Sequence, residues 1–225
     1  MPAEGRLREQ LRLDVYVLTS ADLVVGRDHL DVARAAIAGG ATMLQLRAPE
    51  VSQERLLPMA RSFVALCKQA GVPGIVNDRI DVAIACDAAG VHLGQDDRPE
   101  GAREALGPDR ILGASIDNPA QAREAEVLGA DYLGVVVWST GTKPAARPVG
   151  LHGLQAIART TALPIVAIGG IDTSTAGEVL DAGASGVAVV SAVGASFDPV
   201  AATRSLVRVV AARRGRIAAP QEHRG

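Results

Sequence analysis

Residues 126–135 read EVLGADYLGV: a helical stretch closes on Leu128, Gly129 stops it, and an apolar run opens at Tyr132. Glycine ends helices through a left-handed turn, and so direct a handover from helix to strand marks a β/α unit. The same rhythm of helix, glycine, alanine, small polar residue and strand returns in IAGGATMLQL (37–46) and LDAGASGVAV (180–189). Outward from these three, strands are predicted at 15–18, 43–46, 74–76, 90–92, 111–114, 132–137, 164–168 and 186–190. Helices are predicted between and after them at 30–38, 52–69, 79–86, 100–106, 119–128, 151–159, 173–181 and 199–212. Ser52 and Asp117 or Asn118 stand where N-caps belong, with Pro119 at a first helical position. Eight strand-then-helix units of about 25–28 residues each predict an α/β fold, a single-domain (β/α)8 TIM barrel of minimal size. A doubly wound open sheet competes, but it usually opens on a glycine-rich fingerprint, and neither G-x-G-x-x-G nor G-x-x-x-x-G-K-[ST] occurs.

No linker interrupts the units, so one domain is expected at 14–213, between a flexible N-terminal segment (1–13) and a flexible C-terminal tail (214–225). Hydrophobic residues make up 48% of the 225 and charged residues 21%, which excludes a disordered chain. Net charge is −2, and the aromatics are one Trp, two Tyr and two Phe; a nucleic-acid binder lacks both the charge and the stacking rings it needs. No apolar run is long enough to span a bilayer and the first residues carry no apolar signal core, so no membrane association and a cytoplasmic location are expected. Cys67 and Cys86 are far apart and without metal spacing, which predicts two small core hydrophobes rather than a disulfide or zinc site.

Barrel enzymes carry their chemistry at the carboxyl ends of the strands. There the sequence delivers Gln45 and Arg47, Asn77 and Asp78, His92 with Gln95, Asp96 and Asp97, Ser115, then Thr140, Thr142 and Lys143, Gly169-Gly170, and Ser191. Asp78 and Asp97, from adjacent units, suit one hard divalent cation such as Mg²⁺, which takes one or two carboxylates plus phosphate oxygens. Arg47 and Lys143 face them as cations and imply an anionic, phosphorylated small-molecule ligand. The I-G-G-I turn (168–171) and V-V-S (189–191) offer main-chain N–H groups as a second anion cradle. Plainer readings stand beside these. Asp78 is placed to cap the helix at Arg79, Asp97 is a loop acid, and Lys143 alone reads as a solvated lysine. His92 reads as a satisfied strand-end histidine, while His29, His152 and His223 read as surface residues. Trp138 is either core or pocket wall.

Q-L-R (45–47), N-D-R (77–79), G-V-H-L-G-Q-D-D (90–97), G-A-S (113–115), T-G-T-K-P (140–144), A-I-G-G-I (167–171) and V-V-S-A (189–192) resemble, in order and spacing, the thiamine-phosphate synthase family over about residues 15–193. The resemblance implies a transferase of thiamine biosynthesis. Such an enzyme joins a hydroxymethylpyrimidine diphosphate to a thiazole phosphate, or its carboxylate, by a dissociative, Mg²⁺-assisted substitution that releases pyrophosphate. It further implies that Gln45, Arg47 and Asn77 hold the pyrimidine diphosphate and that Asp78 and Asp97 hold Mg²⁺. By the same resemblance Ser115 and Lys143 act on the leaving diphosphate or pyrimidine, with Arg47 completing the catalytic set. Thr140, Thr142, Gly170, Val190 and Ser191 take the thiazole phosphate.

Two features depart from the family pattern. Pro49 stands where Q-L-R-x-K carries a lysine, and the strand-six ending is one residue shorter and lacks Gly-Pro. A catalytically weak or silent homologue that binds thiazole or thiamine phosphate therefore stays open as an alternative, as does a thiazole tautomerase. The tautomerase carries a histidine two residues after the strand-five serine, where this chain has Asp117. Another phosphate-binding barrel, such as a sugar-phosphate epimerase, needs a paired acid–base set that the sequence does not supply. Homo-oligomerisation is possible on these grounds.

Overall fold

The computed structural model describes residues 11–20, 23–24, 26–49, 51–94, 101–139 and 147–218. Eight strands follow one another: β1 Val15–Thr19, β2 Met43–Leu46, β3 Gly74–Asn77, β4 Gly90–Leu93, β5 Ile111–Ile116, β6 Tyr132–Val136, β7 Ile165–Ile168 and β8 Gly186–Val189. They pair in parallel in chain order, and β8 returns to β1 to close the barrel. The helices are α1 His29–Gly39, α2 Gln53–Ala70, α3 Ile80–Ala85, α4 Ala102–Leu106, α5 Pro119–Val127, α6 Gly150–Ala158, α7 Ala176–Asp181, α8 Ser191–Gly194 and α9 Pro199–Ala218.

Successive strand residues point to opposite faces, and this splits the core in two. Val15 and Val17 join the aliphatic layer beneath the helices, together with Leu44, Val76, Val91, Leu112, Leu133 and Val187. Tyr16, Leu18, Met43, Ile75, Ile111, Tyr132, Val166 and Ala188 fill the barrel itself. Each fully buried aliphatic side chain contributes about 1.5–3 kcal/mol, so both layers stabilise the closed sheet. Leu13, ahead of β1, is 2% exposed and belongs to the inner layer.

The repeated rhythm has a geometric cause. In its three copies the glycine takes a left-handed φ, 94° at Gly40, 82° at Gly129 and 103° at Gly183. The following alanine N–H then bonds back five residues, from Ala41 to Ala36 (3.0 Å), Ala130 to Ala125 (2.9 Å) and Ala184 to Val179 (3.0 Å). This is the Schellman end of a helix. The next residue, small and polar, accepts an N–H from the first or second residue of the neighbouring strand: Thr42 from Val15 (3.1 Å), Asp131 from Leu112 (2.8 Å) and Ser185 from Ile165 (3.2 Å). The motif therefore stops a helix and sets a strand register in three residues. In the third unit Asp87 takes the glycine's place at φ 54°, held by ion pairs to Lys68 and Arg110.

Asn118 caps α5, accepting from Ala120 N (2.9 Å) and Gln121 N (3.0 Å), whereas Ser52 precedes α2 without a side-chain cap bond. A capping box at α1, Asp28 with Asp31, goes beyond the sequence reading. The helix predicted from 173 begins at Ala176, because Asp172 folds a tight turn, accepting from Ser174 N (2.7 Å) and Ser174 Oγ (2.6 Å). The final helix continues past 212 to Ala218 because Arg213 pairs with Asp181 and Arg214 with Asp14. The short helix α8 is an addition to the predicted set.

Candidate active site

At the carboxyl ends of the strands the barrel opens into a cavity of about 340 Å³. Gln45 and Arg47 enter it from the end of β2, Asn77 from β3 and Ser115 from β5. Gly170 lies in the turn after β7, Val190 joins β8 to α8, and Ser191 opens α8. Seven residues nominated from the sequence thus line one cavity. Gly169 and Gly170 have φ 97° and 64°, and Trp138 sits over Gly170 while packing against the outer core. Of the other nominated residues, Asp97, Thr140, Thr142 and Lys143 lie outside the described residues.

Asp78 stands on the rim beside Asn77, at φ 59°. Its carboxylate accepts from Gly94 N (3.2 Å) and from the Asn77 side-chain amide, and its own N–H is bonded to His92 O (2.8 Å). It does not cap α3, whose N-cap position is Arg79 with no side-chain cap bond. The helix-cap reading is therefore replaced by a brace between β3 and the segment leaving β4. Among the described residues no three His, Cys, Asp or Glu side chains form a metal cage.

The floor holds two tyrosines the sequence reading did not nominate, together with His92, which it read as a satisfied strand-end histidine. Tyr16 and Tyr132 lie inside the barrel with ring centroids 6.0 Å apart, edge to face, and their hydroxyls are 3.0 Å apart. His92 stacks on Tyr132 (centroids 5.4 Å) with Nδ1 3.0 Å from Tyr132 Oη and Nε2 3.0 Å from Ser115 Oγ. Gly113 and Gly134 make the space. A Cβ on Gly113 would lie 2.2 Å from Tyr132 Cζ, and one on Gly134 2.9 Å from His92 Cε1. Burial pushes both phenols above their ordinary pKa, so they stay protonated. The signal was present in the sequence: a chain with only two tyrosines places both on strands, one of them two residues before Gly134.

Of the histidines read as surface residues, His152 is exposed and His223 lies outside the described residues, but His29 is 2% exposed. Its Nδ1 is 2.9 Å from Thr19 Oγ1 at the end of β1, a satisfied core contact. Cys67 and Cys86 are both buried and free, as expected. Two other cations near the rim are engaged: Arg27 donates to Gly194 O and Ser196 O (both 2.8 Å), and Arg79 forks onto Asp81 (2.9 and 2.6 Å). The Arg79 hydrogen bonds are the main reason the Asp81 carboxyl is held below its usual range.

A family model described as thiamine monophosphate synthase matches residues 15–193. The chain belongs to the thiamine monophosphate synthase family. It is 47% identical over 206 residues to thiamine-phosphate synthase of Moorella thermoacetica, covering 90% of this chain and 98% of that one. To the synthase of Chloroflexus aurantiacus it is 50% identical over 198 residues, covering 87% and 92%. Thiamine phosphate pyrophosphorylase from Pyrococcus furiosus superposes with TM-score 0.82 at 38% identity, covering 89% of this chain and 96% of that one. A 3-hexulose-6-phosphate synthase from Salmonella typhimurium, at 17% identity and TM-score 0.67, shares the barrel alone. Membership of the thiamine monophosphate synthase family makes the chain a transferase of thiamine biosynthesis. No helix among the described residues is long and apolar enough to cross a membrane.

Proposed function

We propose that the chain condenses 4-amino-2-methyl-5-(diphosphooxymethyl)pyrimidine with thiazole phosphate to give thiamine phosphate and pyrophosphate. The observation that carries this reading is the convergence of Gln45, Arg47, Asn77, Ser115, Gly170, Val190 and Ser191 on one cavity, in a chain whose relatives bear that name. In a dissociative substitution the diphosphate leaves before the thiazole nitrogen attacks. The protein's task is then to neutralise the leaving group and hold two partners in line, with no nucleophilic side chain required.

In this proposal Arg47 and Lys143 meet the departing negative charge, and Gln45, Asn77 and Ser115 hold the pyrimidine and its diphosphate. Thr140, Thr142 and the N–H groups of Gly170, Val190 and Ser191 hold the thiazole phosphate. The aliphatic walls Leu18, Val136, Val166 and Ile168 exclude water, the competing nucleophile for a carbocation. Asp78 offers a hard carboxylate at the start of the segment that carries Asp97, a donor set that suits Mg²⁺ held by two acids and phosphate oxygens. Bound there, Mg²⁺ would supply charge neutralisation to the leaving diphosphate.

Incubation of the full chain with both substrates and Mg²⁺, with pyrophosphate and thiamine phosphate measured together, tests the reading. Equimolar release of the two is expected. Tight binding of thiazole phosphate without pyrophosphate release would replace it with the silent binder.

A further inference from the structure

Gln45, Tyr16, Tyr132, His92 and Ser115 form one hydrogen-bonded chain across the barrel floor. Gln45 Nε2 donates to Tyr16 Oη at 2.6 Å, the two phenol oxygens are 3.0 Å apart, and His92 links Tyr132 to Ser115 at 3.0 Å on each side. A phenol has one proton to donate, so the direction of the first bond dictates the rest. Tyr16, accepting from Gln45, donates to Tyr132, and Tyr132 donates to His92 Nδ1. His92 then carries its proton on Nε2 and donates to Ser115 Oγ, which leaves the Ser115 proton for the cavity. At the opposite end Gln45 Oε1 is buried without a hydrogen-bond partner among the described residues, in a side chain 1% exposed that lines the same cavity.

We propose that this directional chain sets the polarity of the cavity floor, presenting an acceptor at Gln45 and a donor at Ser115, with Tyr16, Tyr132 and His92 as positioning residues. Two observations support a built device over incidental packing. Both phenols are fully buried yet bond through their hydroxyls to each other and to the Gln45 and His92 side chains, with no main-chain partner among the described residues. Gly113 and Gly134 leave room for the His92–Tyr132 stack, since a Cβ on Gly113 would also lie 2.5 Å from His92 Nδ1. The consequence is remote control: a change at Tyr16, which has no hydrogen bond to His92, alters the state of His92. The kinetic consequence rests on the proposed synthase activity, whereas the tautomer does not.

The full chain labelled with ¹⁵N-histidine separates protonated from unprotonated ring nitrogens by chemical shift, and His92 is assigned from the signal lost in His92→Gln. The protein as it stands is expected to carry the His92 proton on Nε2. Tyr16→Phe keeps both His92 partners but removes the link to Gln45, and is expected to give a mixture of tautomers. Its kcat is expected to fall on the order of tenfold, the weight of one net hydrogen bond, with KM for thiazole phosphate unchanged. Should Tyr16→Phe fail to fold, Tyr132→Phe and the unsubstituted protein decide the same question. A proton on Nδ1, or one tautomer unaltered in both variants, overturns the proposal. The expected tautomers in a protein that releases no pyrophosphate would uphold the chain and sink the synthase reading.

Discussion

Asp131 Oδ2 lies 2.8 Å from Leu112 N and 2.6 Å from Arg103 Nη2, so one carboxylate starts the strand beside its own and anchors an arginine. Arg103 in turn donates to the carbonyls of Gly107, Arg110 and Gly129. Asp131→Ala leaves the Leu112 N–H without its acceptor and the mostly buried Arg103 guanidinium without its countercharge, a loss expected at about 3 kcal/mol. Asp131→Ser keeps the acceptor that Ser185 supplies two units later, and is expected to lose only the charge-assisted part, about 1.5 kcal/mol. Urea unfolding of the three proteins measures the series; equal losses would show that the strand-opening bond carries nothing.

Asp78→Asn and Asp97→Asn are each expected to abolish turnover, as is excess chelator, if the two acids share a divalent cation. Asparagine tolerates the left-handed φ of Asp78 and keeps an acceptor for Gly94 N, so the melting temperature should barely move. Full activity in chelator would remove the metal from the mechanism.

For Lys143 the expected signature is kinetic. Neutralising a leaving diphosphate is worth roughly 1.5–3 kcal/mol, so Lys143→Ala should lower kcat by about 10–150-fold. Thiazole phosphate binding, followed by calorimetry, should change far less. An unchanged kcat returns this residue to the solvated-loop reading.

Pro49 is exposed two residues beyond Arg47 and has neither charge nor N–H to offer a diphosphate. Arg27 and Arg79, the nearby cations that would replace a lysine here, are committed to Gly194 and Ser196 carbonyls and to Asp81. Pro49→Lys is therefore expected to raise kcat/KM for the pyrimidine diphosphate by up to about tenfold, one partly exposed charge-assisted contact of ~1.4 kcal/mol. Steady-state kinetics at saturating thiazole phosphate and Mg²⁺ measure it. A neutral or harmful substitution in an already efficient enzyme would mean another group fills the role.

Burial pushes the Cys67 thiol up to about 12. A raised thiol pKa means less thiolate at any lower pH, and thiolate is the reactive form. At pH 8 a disulfide reagent should modify Cys67 only as fast as the protein opens. Rapid labelling of the folded chain at Cys67 would contradict the buried assignment.

All eight strands and the Schellman turns at Gly40, Gly129 and Gly183 were legible because their causes are local. Glycine at Gly40, Gly129 and Gly183 dictates a left-handed turn wherever the chain goes next, and the apolar runs alternate with helical patterns regardless of partner. The rim residues Gln45, Arg47, Asn77 and Ser115 were legible for a related reason. In a closed parallel barrel every strand's carboxyl end faces the same mouth, so naming the strand ends names residues that line the cavity there. The turn at Asp172, which delays α7, was hidden because three adjacent polar residues bond one another rather than start a helix.

By itself, then, the sequence determined the number and order of β/α units and the chemical types gathered at the rim. Only the tertiary structure decided what lies beneath that rim. Tyr16 and Tyr132 are 116 residues apart and meet because closure of β8 onto β1 brings opposite walls of the barrel within reach across its interior. His92, a plain strand-end histidine in sequence, becomes the link between Tyr132 and Ser115 because the parallel register sets His92 and Tyr132 on either side of Gly113 in β5. His29 is buried against Thr19, and Arg27 is spent on carbonyls at residues 194 and 196, through contacts that no local periodicity encodes. Alternation says which side chains point inward; the tilt and closure of the sheet decide which of them touch.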